Sequence, residues 1–71
     1  MVLKEDKDGT WHLKTSKDNF SGTFTAVVKR MHIVHGVKLE QVELAIKDMI
    51  QLNHSEAEFG DLNKTYMFTR E

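Results

Sequence analysis

The sequence has 71 residues, room for one small domain and too few for two independent cores. It has no cysteine, which excludes disulfides, thiolate metal sites, iron–sulfur clusters and a Cys nucleophile. Ten Lys and Arg against eleven Asp and Glu leave a net charge of -1, without the cationic excess that draws a protein to nucleic acid or anionic membrane.

The opening Met1-Val2-Leu3-Lys4-Glu5-Asp6 turns charged after three residues and carries no apolar h-region. No apolar run approaches the ~20 residues that span a bilayer. An intracellular, cytoplasmic location and no membrane partner are the expectation. Asp8-Gly9 then separates Val2-Leu3-Lys4 from Trp11-His12-Leu13-Lys14-Thr15. An Asp-Gly pair between two strand-like runs fits a type I′ turn, so a β-hairpin is predicted over residues 2–15.

Residues 19–34 are rich in β-branched side chains, yet their periodicity is helical. At ~100° per residue Phe20, Phe24, Val27, Val28, Met31, Val34 and His35 gather on one arc, with Gly22, Thr25, Lys29 and Arg30 opposite. Asp18, Asn19 or Ser21 can cap the start, and Gly36 suits the end. A second helix follows over residues 38–53. Its apolar stripe is Leu39, Val42, Ala45, Ile46, Met49, Ile50 and Leu52, and Glu43 to Lys47 forms a favourable i,i+4 pair. The link His35-Gly36-Val37 is short enough to make the helices neighbours in a helical hairpin or helix-turn-helix.

Glu56-Ala57-Glu58-Phe59 fits either a helix extension or a strand. Gly60-Asp61 and Asn63 supply turns, and residues 64–70 have strand chemistry. The expected fold class is α+β in a ββααβ order: a helical hairpin on a short antiparallel sheet, the last strand joining the N-terminal hairpin. All three asparagines, Asn19, Asn53 and Asn63, lie in N-x-Ser/Thr triplets, which read here as caps and turns.

Chemistry-bearing motifs are sparse. His32 and His35 are three residues apart, but a zinc site needs three or four ligands, and a histidine near a helix C-terminus is already favoured by the dipole. Asp6-Lys7-Asp8-Gly9 opens like a calcium loop whose closing Glu is replaced by Lys17. Serines 16, 21 and 55 lie in no G-x-S-x-G context, and a solvated loop explains His54, Glu56 and Glu58 more simply than acid–base catalysis. The expectation is a non-enzyme without cofactor or metal.

Two binding readings remain. In the nucleic-acid reading, of helix-turn-helix or transcription-regulator type, Lys29, Arg30 and His32 meet phosphates. Glu40, Glu43 and Asp48 against Lys47 make the second helix a poor reading helix. A basic sheet face of Lys4, Lys14, Lys17, Lys64 and Arg70, with Trp11, Tyr66 and Phe68 stacking on bases, could replace it; aromatic core packing is the simpler role for those three rings. In the protein-binding reading, Ile33 and Leu44 stand on otherwise polar helix faces, with Glu40, Glu43 and Lys47 around Leu44. These, together with four methionines, fit an adaptable surface for another protein or a homodimer. Protein binding is the preferred expectation.

Overall fold

A computed structural model describes residues 1–60 and 64–67. Three short strands come first: β1 (Val2–Glu5), β2 (Trp11–Lys14) and β3 (Asn19–Gly22). Side-chain alternation places Leu3, Leu13 and Phe20 on the inner face. Lys4, His12 and Ser21 line up on the other face, register partners across the three strands. Helices α1 (Phe24–Ile33) and α2 (Leu39–Gln51) follow, then β4 (Glu56–Phe59) and β5 (Tyr66–Met67). The sheet is antiparallel in the order β3-β2-β1-β4-β5.

The α+β class and the two helices match the expectation; the ββααβ order does not. Residues 19–22 form a third strand before the helices. Thr15 makes this turn, its Oγ1 accepting from the backbone N–H groups of Lys17 and Asp18 at 3.1 and 2.7 Å. The helix starts at Phe24 and not at residue 19 because its N-cap is Thr23, extended at φ -70°, ψ 161°, whose Oγ1 accepts from the Ala26 N–H at 3.2 Å. Phe20 had fitted the helical arc because a strand residue facing inward reaches the same core as Val27 and Met31.

The strand that joins the N-terminal hairpin is β4, paired with β1, and among the described residues β5 pairs only with β4. Of the predicted final strand, Tyr66–Met67 is present and residues 68–70 lie outside the described residues, as do Asp61 and Asn63. The Asp8-Gly9 hairpin forms with a longer connection than type I′. Asp6 N–H donates to Thr10 O, Gly9 N–H donates to Asp6 O, and only Gly9 of the turn has positive φ, at 88°. That is a three-residue loop closed by a left-handed glycine.

Gly36 does end α1, at φ 73°, and the Val37 N–H returns to Met31 O at 3.0 Å. Asn53 turns the chain after α2 with φ 57°. The core gathers Leu3, Leu13, Val27, Met31, Val37, Val42, Ala45, Met49, Ala57 and Phe59 beneath the helices. Trp11 and Tyr66 flank it on the same side. Trp11 packs on Phe24 at 5.0 Å between ring centroids and Tyr66 on Phe59 at 5.8 Å.

Candidate functional site

The helices do not close on each other. α1 lies over β2 and β3, and α2 over β4 and β5, so the space between them falls over central β1. Only the innermost part of each predicted apolar stripe is buried: Val27 and Met31 on α1; Val42, Ala45 and Met49 on α2. The outer part stays in water, with Phe24 40%, Leu39 49% and Ile50 75% exposed. These flanks border an open groove of about 540 Å³ lined by Phe24 and Val28 on one side and Leu39, Ile46 and Ile50 on the other. Glu43 and Lys47 also line it. Trp11, Ile46, Met49 and Ile50 carry the apolar lining on towards His54 at the C-terminal end of α2.

The residues expected to bind protein separate into three places. Glu43 and Lys47 stand in the groove. Leu44 and Glu40 lie across the ridge that Glu43 and Lys47 form, in a shallow cleft shared with Gln41. Ile33 is 69% exposed at the far end of α1 and lines neither cleft. Sequence reasoning therefore missed Phe24, Leu39 and Ile50 as surface residues. Periodicity marks which positions are apolar, but the width of the stripe that a neighbour covers depends on how far apart the helices sit.

The basic residues of the nucleic-acid reading are differently employed. Lys29 is exposed. Arg30 is not a free cation: Nε and Nη2 donate to the two carboxylate oxygens of Asp18 at 2.9 and 3.2 Å, and the guanidinium lies 4.7 Å over the Phe20 ring. This bidentate pair, joined by His35 Nε2 at 3.2 Å, holds the Asp18 carboxyl below the usual carboxylate range and raises the Arg30 guanidinium. His32 turns elsewhere, its Nδ1 2.9 Å from Val37 O. His32 and His35 thus do not converge, and the described residues contain no group of three His, Cys, Asp or Glu side chains that could hold a metal ion.

One arrangement had no sequence signal. His12 lies between Ser21 and Asp6, with Nδ1 2.7 Å from Ser21 Oγ and Nε2 2.6 Å from Asp6 Oδ2. A Ser–His–Asp chain of this kind can in principle move a proton from the hydroxyl to the imidazole. Here it crosses an exposed polar sheet face, with the hydroxyl on Nδ1 and the carboxylate on Nε2. It ties the β1–β2 turn to β3. Register pairing of β2 with β3 (His12 opposite Ser21) is the feature that creates it, and that pairing was invisible while residues 19–22 were read as helix.

On the far side of α2, the Tyr66 hydroxyl donates to Asp48 Oδ2 at 2.9 Å, and its backbone N–H donates to Gln41 Oε1 at 3.0 Å. Burial, with the Asp48 carboxylate beside it, pushes the phenol up to about 12. Asp48 is therefore committed to the β5 contact. Among the described residues, no helix is long and apolar enough to cross a membrane. No family model, no curated protein and no solved structure matches the chain.

Proposed function

We propose that this protein is a non-enzymatic interaction module that binds protein through the groove between α1 and α2, with no cofactor. The observation that carries this reading is the exposure of Ile50, at 75%, with Leu39 and Phe24 around one concave apolar surface. Apolar area removed from water contributes roughly 25 cal/mol per Å², so such a groove gains by being covered. Concave apolar surface edged by a few charges is the anatomy of a protein-binding face, and a nucleic-acid face needs a cationic stripe instead. With Arg30 bound to Asp18, Lys29 is left without its neighbour's charge for phosphate contact. The Ser21–His12–Asp6 chain lies on the open sheet face, away from the groove lining, which supports a structural role for it.

A photo-crosslinking amino acid at position 50, compared with one at Lys14 on the open sheet face, tests this in native lysate with and without nuclease. Nuclease-resistant protein adducts at position 50, and not at position 14, are expected. Adducts to nucleic acid, or adducts confined to position 14, would overturn the reading.

A further inference from the structure

We propose that the groove is occupied by a second copy of this chain, the two α2 helices packing antiparallel about a two-fold axis. The proposal rests on the protein-binding reading above and names its partner. Its basis is the order of residues along the groove flank of α2. Leu39, Glu43, Ile46 and Ile50 follow each other at intervals of four, three and four, the spacing of a helix–helix seam.

The spacing of that row, four, three and four, is the same from either end. Reversing it about the middle of the helix puts Leu39 where Ile50 was, and Glu43 beside Ile46 and Lys47. Two copies related by a two-fold axis therefore bring Leu39 of one against Ile50 of the other, twice. They also set each Glu43 next to the second copy's Lys47, again twice. A parallel pairing would oppose Glu43 to Glu43 and Lys47 to Lys47, and like charges across a seam are repulsive. The charges thus select the antiparallel arrangement.

The rest of the molecule is compatible with this arrangement. Phe24, beside Trp11 at the Ile50 end of the groove, and Val28 form the opposite wall, against which the second copy's Leu39 can rest. A net charge of -1 gives little repulsion between copies. A chain of 71 residues has a small core, and association stabilises a folded chain by mass action.

Sedimentation equilibrium of the full chain, from low micromolar to about 1 mM, tests the proposal through three variants. Wild type is expected to be a reversible dimer. Ile50→Asp, at a site exposed in the single chain, should raise the dissociation constant by about tenfold or more while circular dichroism stays unchanged. Glu43→Lys alone should weaken the dimer, and Glu43→Lys combined with Lys47→Glu should restore it. If Ile50→Asp fails to fold, this charge exchange carries the test without it. A wild-type mass of one chain up to about 1 mM overturns the proposal; so does a dimer indifferent to these substitutions, or an exchange no better than the single reversal. A monomer that still crosslinks a different protein at position 50 would refute the self-association alone. A monomer with no protein adduct there would refute the protein-binding reading as well.

Discussion

Arg30 reaches back from the last turn of α1 to hold both carboxylate oxygens of Asp18, twelve residues earlier in the β2–β3 turn. The pair fastens the helix to the edge of the sheet that β3 forms, with the Phe20 ring packed under the guanidinium.

A carboxyl held low in the folded state contributes stability that is present above its unfolded value, near pH 4, and is lost as pH falls through the folded value. Asp18→Asn should therefore lower Tm at pH 7. Its deficit should shrink as the medium is acidified below about pH 4, where wild type loses the same interaction. Thermal melts of both proteins between pH 2 and pH 7 check this; a deficit that stays constant down to the lowest pH would exclude the ion pair as its cause.

Tyr66 makes the corresponding alkaline prediction, with the opposite sign. Its phenol is raised in the fold, so its contribution is complete below pH 10 and is lost as pH rises through about 12. Because the chain has one tyrosine, phenolate absorbance reports this group alone. It should titrate near 12 in the folded protein. Tyr66→Phe should cost about 0.5–1.5 kcal/mol at neutral pH through the lost bond to Asp48, yet lose less stability than wild type between pH 10 and 12.

Thr23 decides where the third strand yields to the first helix. Thr23→Ala should destabilise the fold by about 0.5–2 kcal/mol, and Thr23→Ser should recover most of that loss. Denaturant unfolding measures both. Equal effects of the two substitutions would show that the Oγ1 bond to Ala26 is not the cap.

Leu44 separates surface from core. Leu44→Asp should change stability by no more than about 0.5 kcal/mol, since the side chain is 50% exposed, whereas Leu13→Ala in the sealed core should cost about 2–5 kcal/mol. If the groove rather than the outer face of α2 is what binds protein, Leu44→Asp should also leave crosslinking at position 50 intact.

The elements most legible in the sequence were those set by local chemistry. Asp8-Gly9 announced a hairpin, the stripe containing Val42, Ala45 and Met49 announced α2, and Gly36 announced the end of α1. Residues 19–22 were misread because a strand of four residues has too few alternations to outweigh one aromatic in helical phase with Phe24. The signal that could have corrected this lies in Thr15 and Thr23, the first building a turn and the second a cap. The groove was legible only as composition. Leu39 and Ile50 are apolar in the sequence, but their exposure follows from each helix resting on a different pair of strands, a long-range fact that periodicity does not contain. The Asp6–His12–Ser21 chain likewise depends on strand register.

The central place of β1 sets how this chain must find its fold. On one side Leu3 faces Leu13, a partner delivered by the neighbouring hairpin; on the other it faces Ala57, which arrives only after both helices have been traversed. The first pairing closes a short loop and the second a very long one, so their entropic costs differ even though the finished ladders look alike. On loop-closure grounds the β1–β2–β3 meander is expected to form before β4 enters beside β1, with that entry as the rate-limiting step in refolding. Ala57 and Phe59 then act as the latch: a change at either should slow refolding only as far as β4 is docked in the transition state, whereas a change at equally buried Leu13, inside the early meander, should slow it in nearly full proportion to the stability lost.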